Sequence, residues 1–261
     1  MDIENKIILI TGAARGIGFV AADSFLRAGA RVVITDWKPD LLAEATERLQ
    51  ATHGKDAVAA AVCDVRREQA VIDAVAFARD TYGRLDGLYN NAAINTRAGS
   101  IVSMEERTLD FTIAVNLKGT VFFCKHAIPV MLAQGGGSIV NTSSINAHRG
   151  GMGCDAYAIT KAAVEALTVQ IAHEYGSRNV RCNCICPGVV RTEATLAAGG
   201  DGAASEARLA SVSGPIGRPG NPEEIANIAR FLLSDASALI TGSTLYGDGG
   251  FMTGPKQSGQ N

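Results

Sequence analysis

The feature that most constrains the fold is a continuous apolar run, residues 7–10, followed at once by a glycine-rich turn. A run that is apolar at every position is typical of a strand covered on both faces of a parallel sheet. The turn, Thr11-Gly-Ala-Ala-Arg-Gly-Ile-Gly18, opens a segment with a helical pattern. A helix that starts in this way presents free N–H groups and a positive dipole to a phosphate. The alternative is an ordinary glycine-rich turn with no ligand.

Strand-like and helical segments alternate along the rest of the chain. Further strands are predicted at 31–36, 57–62, 85–89, 138–143, 180–186 and 243–247. Helices are predicted at 16–29, 39–53, 66–82, 105–133, 155–176 and after Asn221. This alternation predicts an α/β fold: a single-domain, Rossmann-type, doubly wound parallel sheet of about seven strands with helices on both faces. Ligands of such sheets bind beyond the carboxyl ends of the strands, where the strand order reverses.

Length and composition fit one domain. The chain has 261 residues, of which 47% are hydrophobic, enough for one sizeable core. We assign residues 1–253 to that domain, expect 188–214 to form a mobile substrate loop, and expect a disordered tail at 254–261. The net charge of −2 offers no basic face for nucleic acid. Without a long apolar run or a secretory pattern, we expect a cytoplasmic protein with no membrane partner.

Three of the six cysteines, Cys182, Cys184 and Cys186, alternate along a predicted strand. This spacing places their side chains on one face of the strand. A zinc site is the alternative, but the segment lacks C-x-x-C spacing and has no histidine near it in sequence. We interpret these residues as small apolar core residues and expect no metal site.

Two aspartates follow predicted strands at the same edge of the sheet. Asp36 ends the second strand, and Asp64 follows the third. A carboxylate at the first position accepts hydrogen bonds from an adenosine ribose and repels a 2′-phosphate, which favours NAD over NADP. An adenine ring would lie near the second. The alternative for each aspartate is a place at the N-terminus of the next helix.

Tyr157 and Lys161 are four residues apart in a predicted helix, and Ser144 precedes the tyrosine by thirteen residues. Side chains at this helical spacing lie on one face. A lysine ammonium favours a nearby phenolate and so lowers the pKa of the tyrosine, which suits it to move a proton to or from an oxygen. The alternative for this pair is an ordinary contact on a helix surface.

Taken together, these motifs resemble those of the classical short-chain dehydrogenases/reductases, over residues 6–253. The order and spacing of the motifs are more specific than any one of them. One departure is Ala93, where the family often has glycine. The motifs that carry the resemblance are T-G-x-x-x-G-x-G at 11–18, Asn90-Asn91-Ala92, Asn116, Ser144, Tyr157-x-x-x-Lys161, Pro187-Gly188 and Asp248-Gly249-Gly250.

The resemblance implies four catalytic residues. Tyr157 is the general acid/base, and Lys161 lowers its pKa and hydrogen-bonds the nicotinamide ribose. Ser144 holds the substrate oxygen, with Ser143 as its rival; the spacing to Tyr157 favours Ser144. Asn116, at a break in the long helix, holds a water that links Lys161 to solvent.

The resemblance also implies a set of residues that bind NAD. Asn91 supports the pocket, and Thr192 meets the nicotinamide carboxamide. The predicted cofactor-binding residues are Gly12, Arg15, Gly16, Ile17, Gly18, Asp36, Trp37, Asp64, Val65, Asn91, Ala92, Tyr157, Lys161, Pro187, Gly188, Val190 and Thr192.

The substrate is predicted only as a secondary alcohol or its ketone. The expected pocket is lined by residues 94–97, 145–154 and 188–214. The predicted substrate contacts are Ser144, Asn146, Arg149 and Tyr157. The charged side chains His148, Arg149 and Arg191 can bind an acidic substrate or serve at the surface or a subunit contact.

Three functions are compatible with the residues. The first is an NAD-dependent secondary-alcohol dehydrogenase, and the second is an NADPH-dependent 3-oxoacyl-[acyl-carrier-protein] reductase, which Asp36 disfavours. The third is a non-catalytic dinucleotide-binding sensor or scaffold, which has no need for the tyrosine–lysine pair. The resemblance further implies a homotetramer, with the helices at 105–133 and 155–176 at an interface.

Overall fold

The structure, a computed structural model, describes residues 3–95, 100–150, 153–197 and 208–254. Several predictions concern residues outside these ranges. They are the pocket residues at 96–97 and 151–152, the central part of the substrate loop at 198–207, and the tail at 255–261.

Within the described ranges, seven parallel strands form one sheet. The strands are β1 (Ile7–Thr11), β2 (Arg31–Asp36), β3 (Val58–Val62), β4 (Gly87–Asn90), β5 (Gly137–Thr142), β6 (Val180–Pro187) and β7 (Thr244–Gly247). Their order is β3-β2-β1-β4-β5-β6-β7, with every neighbouring pair parallel. The order reverses between β1 and β4, which confirms the doubly wound sheet and places its switch point beside the glycine-rich turn.

The helices connect these strands, and the ends of the predicted ones lie within two residues of their predicted positions. They are α1 (Gly16–Arg27), α2 (Pro39–His53), α3 (Glu68–Tyr82), α4 (Glu106–Thr112), α5 (Gly119–Ala133), α6 (Asp155–Tyr175), α7 (Glu193–Ala197) and α8 (Pro222–Leu233). The short helix α7, inside the expected substrate loop, was not predicted. The helical region predicted at 105–133 contains a π-helical segment, Ile113–Lys118, between α4 and α5; it includes Asn116, where the resemblance implies a break in the helix.

Local sequence sets the start of α8. Asn221 is the N-cap residue and Pro222 occupies the first turn. The Asn221 N–H donates to the Glu224 carboxylate at 2.7 Å. Proline fits the first turn because the N–H that it lacks has no partner within the helix there, and Glu224 satisfies an N–H at the helix start.

Two apolar layers cover the sheet. Phe25 of α1 and Leu232 of α8 pack on one face around Tyr89, whose ring centroid is 6.2 Å from that of Phe25. Phe123 and Met131 of α5 pack on the other face. Burying each large side chain stabilises the fold by about 1.5–3 kcal/mol. β1 is buried at all its positions, as its uninterrupted apolar run predicts.

No helix within the described ranges is long and apolar enough to span a bilayer.

Candidate active site

A cleft with a volume of about 430 Å³ opens at the carboxyl ends of β1, β2, β3 and β4. This is the edge of the sheet at which the sequence predicts a ligand. The predicted cofactor residues that line it are Gly12, Arg15, Gly16, Ile17, Asp36, Trp37, Asp64, Val65, Asn91, Ala92 and Thr192.

The glycine-rich turn brings backbone to the wall of this cleft. Gly12 has a φ of +62°, which favours glycine. A Cβ on Gly18 would lie 2.4 Å from the Gly12 carbonyl oxygen and 2.6 Å from Asn91 Nδ2. At the start of α1, the N-cap residue Arg15 makes no side-chain hydrogen bond to the helix. The first turn of α1 is therefore open to an anion.

Asn91 ties the end of β4 to the end of β1. Its Nδ2 donates to the carbonyl oxygens of Thr11, at 3.1 Å, and Gly12, at 3.0 Å. In return, Thr11 Oγ1 accepts from the backbone N–H groups of Asn91 and Ala92. These four hydrogen bonds fix the turn from both sides, which agrees with the supporting role predicted for Asn91.

Asp36 is partly exposed at the end of β2. Its carboxylate accepts from the N–H groups of Ala14, at 3.4 Å, and Lys38, at 3.2 Å. The N-cap residue of α2 is Lys38, so Asp36 is not the cap that the alternative interpretation required. Trp37 is 61% exposed beside it. The carboxylate is held at the lip of the cleft with room for a ligand.

Asp64 is paired with Arg66, a contact that the sequence analysis missed. Arg66 Nε and Nη2 donate to the two carboxylate oxygens at 2.8 and 2.6 Å. The Arg66 side chain thereby lowers the pKa of Asp64. The N-cap of α3 is Arg67, so Asp64 does not occupy that position either. The guanidinium of Arg66 also lies 5.1 Å from the ring centroid of Phe111, across the cleft wall.

Other lining residues also escaped the sequence analysis. Several of them neighbour a predicted residue in the chain, and that adjacency was the only available clue. Phe111 and Val115 come from the α4 region and had no such clue. The missed lining residues are Lys38, Leu41, Cys63, Arg66, Ala93, Phe111 and Val115. The remaining lining residues, Ile94, Glu193 and Ala194, belong to segments that were expected to line the substrate pocket.

Some predicted cofactor residues lie beside the cleft without lining it. Gly18 packs behind the turn, and Gly188 follows β6, where a Cβ would lie 2.7 Å from the Asp248 Cα. Val190 is buried and forms a bridge with Gly220. The predicted residues outside the lining are Gly18, Tyr157, Lys161, Pro187, Gly188 and Val190.

Lys161 lies on α6 beneath Tyr157. Its Nζ is 5.5 Å from the centroid of the tyrosine ring and donates to the Thr142 carbonyl oxygen at 2.6 Å. Lys161 is buried against the end of β5, and only 2% of the residue is exposed. Burial disfavours the ammonium and lowers the pKa of Lys161 to about 8.

Burial also raises the pKa of the Tyr157 hydroxyl, to about 12, and a hydrogen bond with the Ser144 side chain opposes that rise. Ser144 follows β5, where its Oγ also accepts from the Asn146 N–H. Ser143, the rival serine, turns its hydroxyl toward the Lys161 carbonyl oxygen and Glu165. The structure therefore brings Ser144, and not Ser143, to the tyrosine hydroxyl.

Asn116 is fully buried in the π-helical segment. Its Oδ1 accepts from the Ile94 N–H at 2.8 Å, and its Nδ2 donates to the Ile94 carbonyl oxygen at 2.9 Å. The same Nδ2 reaches Thr160 Oγ1 at 3.2 Å, and Thr160 donates to the Tyr157 carbonyl oxygen. Asn116 thus joins the strand-end loop to α6. Sequence reasoning missed Thr160 because a threonine within a helix commonly donates its hydroxyl to a carbonyl oxygen of the preceding turn, with no functional role.

The predicted substrate residues have partners within the chain. Asn146 Nδ2 lies 3.1 Å from Cys154 Sγ. The exposed guanidinium of Arg149 lies 4.4 Å from the ring centroid of Phe251. Of the other charged candidates, His148 contacts Glu165 and Arg191 contacts Asn221.

All six cysteines are buried and free, as expected for small core residues.

The cleft fits a dinucleotide. Two glycines stand where a Cβ would collide, a helix starts without a side-chain cap, and a carboxylate ends the second strand. The glycines and the helix start suit a pyrophosphate, and the carboxylate suits a ribose. The tyrosine–lysine pair lies at the adjoining strand ends.

Comparisons with known proteins agree with this arrangement. Residues 12–252 match the family model described as Enoyl-(Acyl carrier protein) reductase. The chain is 37% identical over 254 residues to the 3-oxoacyl-[acyl-carrier-protein] reductase FabG of Thermotoga maritima, covering 97% of this chain and 100% of that protein. It is 35% identical over 248 residues to the human dehydrogenase/reductase SDR family member 4, covering 95% and 88%.

Solved structures show the same similarity. A short-chain type dehydrogenase/reductase from Mycobacterium ulcerans superposes with a TM-score of 0.91 at 35% identity, covering 98% of this chain and 93% of that one. L-sorbose reductase from Gluconobacter frateurii, solved with NADPH and L-sorbose, has a TM-score of 0.91 at 30% identity, covering 97% and 99%. The chain therefore belongs to the classical short-chain dehydrogenase/reductase family of oxidoreductases, which bind a nicotinamide dinucleotide.

Proposed function

We propose that this protein interconverts a secondary alcohol and its ketone with NAD as the cofactor. The observation that carries the proposal is the placement of Tyr157 above Lys161 at strand ends that adjoin the dinucleotide cleft. A binding module has no need for this pair. The full set of Asn116, Ser144, Tyr157 and Lys161 therefore speaks against a sensor or scaffold.

The residues of the chain handle the proton. A bound nicotinamide supplies the hydride acceptor or donor. In oxidation, Tyr157 Oη takes the proton of the substrate hydroxyl, and in reduction it returns a proton to the carbonyl oxygen. Ser144 holds that oxygen beside the tyrosine. Burial raises the pKa of Tyr157 to about 12, and the hydrogen bond with Ser144 opposes that rise. In the proposed mechanism, the positive charge of Lys161 favours the phenolate when the proton moves.

Asn116 and Thr160 support this centre. The Ile94 N–H donates to Asn116, Asn116 donates to Thr160, and Thr160 donates to the Tyr157 carbonyl oxygen. This chain of hydrogen bonds holds the first turn of α6. We place the water link from Lys161 to solvent at Asn116 on the family resemblance. Asn146 and Arg149 remain our candidates for contacts with the rest of the substrate.

Asp36 is the ground for choosing NAD. Its carboxylate stands at the end of β2, where it would accept hydrogen bonds from the hydroxyls of an adenosine ribose and would repel a 2′-phosphate. Three cations, Arg15, Lys38 and Arg66, line the same cleft and lessen that repulsion. Arg66 is already paired with Asp64, which leaves less of its charge for a phosphate.

The second candidate is an NADPH-dependent 3-oxoacyl-[acyl-carrier-protein] reductase. It is favoured by the 37% identity to the Thermotoga maritima reductase of that name. The NADPH in the Gluconobacter frateurii sorbose reductase structure also supports the phosphorylated cofactor.

A two-way kinetic screen separates these functions. Secondary alcohols are offered with NAD⁺ or NADP⁺, and ketones and a 3-oxoacyl thioester with NADH or NADPH, while the absorbance of the reduced nicotinamide is followed. We expect the highest kcat/KM for an alcohol–ketone pair with NAD(H). A higher kcat/KM for the thioester with NADPH would establish the second candidate. Cofactor binding with no turnover across the panel would favour the sensor or scaffold.

We place the protein in the family's homotetrameric assembly, with α4, α5 and α6 at an interface. Ile159 and Val169 on α6 are each 50% exposed in the single chain, and a subunit contact there would bury them. Light scattering coupled to size exclusion tests this, and a monomer would contradict it.

A further inference from the structure

Three side chains of different chemistry converge beside the proton-handling centre and have no part in it. A ring nitrogen of His148, a carboxylate oxygen of Glu165 and Cys186 Sγ all lie within 4.8 Å of one another. The Cys186 thiol is fully buried, and the side chains of Glu165 and His148 are 15% and 32% exposed. The cluster is therefore a half-buried pocket with one side open to solvent.

Three separate elements hold this cluster together. His148 follows the turn after β5, Glu165 lies on α6, and Cys186 lies near the end of β6. Cys186 is in register with Tyr246 of β7, so both side chains leave the sheet on the same face. The Tyr246 hydroxyl lies 3.2 Å from His148 Nε2. The convergence is tertiary, since no two of the three residues belong to one local motif.

The Glu165 carboxylate is oriented by groups on several sides. His148 Nε2 lies 2.9 and 3.0 Å from its two oxygens. The Ser143 hydroxyl bonds one oxygen, and Thr244 Oγ1 donates to the other at 3.5 Å. Carboxylates that bind a metal are held in this way by outer hydrogen bonds, which fix the direction of the remaining lone pairs.

The three donor atoms favour one kind of ion. An imidazole nitrogen, a carboxylate oxygen and a thiolate sulfur form a mixed set that suits Zn²⁺, whereas Mg²⁺ and Ca²⁺ prefer oxygen ligands. Zinc with three protein ligands keeps a fourth position for water. The open side at His148 and Tyr246 leaves room for that water.

We propose that His148, Glu165 and Cys186 bind one Zn²⁺ ion, with a water as the fourth ligand and the Tyr246 hydroxyl beside it. The ion replaces the proton that links His148 Nε2 to Glu165, and the Cys186 thiol releases its proton to solvent on binding. The proposal departs from the expectation of no metal site, which considered only histidines near the cysteines in sequence. The proposal is independent of the proposed redox function.

Cobalt substitution tests the site directly. The full chain is stripped with a chelator, dialysed and titrated with Co²⁺. We expect a near-ultraviolet thiolate-to-cobalt charge-transfer band and visible bands of tetrahedral Co²⁺, both saturating at one ion per chain. Zn²⁺ should displace Co²⁺, and an excess of Mg²⁺ or Ca²⁺ should not. A titration without the charge-transfer band would overturn the proposal.

Matched cysteine variants identify the sulfur. Cys186→Ser should remove the charge-transfer band, while Cys124→Ser, at a buried thiol in the core around α5, should keep it. The same band in Cys186→Ser and the native chain would refute the assignment.

A second pair of variants decides the matter even when Cys186→Ser does not fold. His148→Ala and Glu165→Gln change partly exposed side chains. Each should weaken Zn²⁺ binding, measured by competition with a chromophoric chelator, beyond the roughly 10- to 100-fold typical of losing an outer hydrogen bond. Native affinity in both variants would place the ion elsewhere and overturn the site.

Discussion

The two halves of the active-site edge are built by different means. The dinucleotide cleft, at the ends of β1 to β4, is made largely of backbone: a turn with positive φ, an uncapped helix start and hydrogen bonds from Asn91 to carbonyl oxygens. The proton-handling centre, at the end of β5 and along α6, is made of side chains. Tyr157, Lys161, Ser144 and Asn116 come from three parts of the chain.

The two halves also treat charge differently. Asp36 keeps part of its surface in water at the lip of the cleft. Lys161 is buried, and its pKa falls to about 8 while that of Tyr157 rises to about 12. The first half is arranged to bind an anionic ligand. The second holds two buried groups whose charged forms are disfavoured by burial, and pKa shifts of this kind are common among residues of catalytic sites.

The largest test of this contrast is Tyr157→Phe. Without the hydroxyl, we expect kcat to fall by about 100- to 10,000-fold, the usual contribution of general acid/base catalysis. Dinucleotide affinity should stay at the native value because the cleft is built elsewhere. Steady-state kinetics and a fluorescence titration of the cofactor measure the two effects. Tyr82→Phe, on α3, is the control, and native turnover in Tyr157→Phe would disprove the role of the tyrosine.

The buried charge of Lys161 should appear in the pH dependence of stability. Its pKa is 10.5 in the unfolded chain and about 8 in the folded one, so between these values the unfolded chain binds a proton that the folded chain has lost. Stability conferred by this residue therefore rises with pH across that window, and the full cost of burying the ammonium applies below about pH 8.

Lys161→Met removes this dependence. Between pH 7 and 10, we expect the free energy of unfolding of the native chain to rise relative to that of Lys161→Met by about 2–3 kcal/mol. Denaturant unfolding at one fixed protein concentration measures the difference, since assembly also affects stability. Parallel pH curves for the two chains would contradict the burial of the charge.

Gly18→Ala tests the backbone half. The new Cβ would meet the Gly12 carbonyl oxygen and Asn91 Nδ2, so the turn must shift. We expect a loss of about 1–3 kcal/mol in unfolding free energy, together with weaker dinucleotide binding. Gly176→Ala is the matched control, because a Cβ there meets no atom within 4 Å among the described residues. Equal effects at both glycines would show that the close packing at Gly18 is unimportant.

The smallest expected effect is at Asp36. Asp36→Ala removes the charge that repels a 2′-phosphate, and we expect the ratio of kcat/KM for NADP to that for NAD to rise about tenfold, which corresponds to about 1.4 kcal/mol. Asp40→Ala, at an exposed position in the first turn of α2, serves as the control. An unchanged ratio in Asp36→Ala would remove the basis for preferring NAD.

Much of the fold could be predicted because its causes are local. An uninterrupted apolar run gives a buried strand, and the turn at 11–18 has glycine where the backbone needs it. The helix ends follow from residues such as Pro222 and Gly83, the latter in the left-handed region at the end of α3. These effects act within a few residues, so the boundaries of the predicted strands and helices came out within two positions. The short helix α7 lies in the expected loop and was not predicted.

The sequence by itself determined the cleft at the switch point and the spacing of Tyr157 and Lys161, because a helix fixes the relative positions of residues four apart. The spacing to Tyr157 favoured Ser144 over Ser143, but only the tertiary structure showed where each hydroxyl points, paired Asp64 with Arg66, and joined Asn116 to Thr160. It alone brought His148 and Glu165 to Cys186. Contacts between distant segments depend on how strands register and helices pack, and the sequence encodes that geometry only through the whole fold.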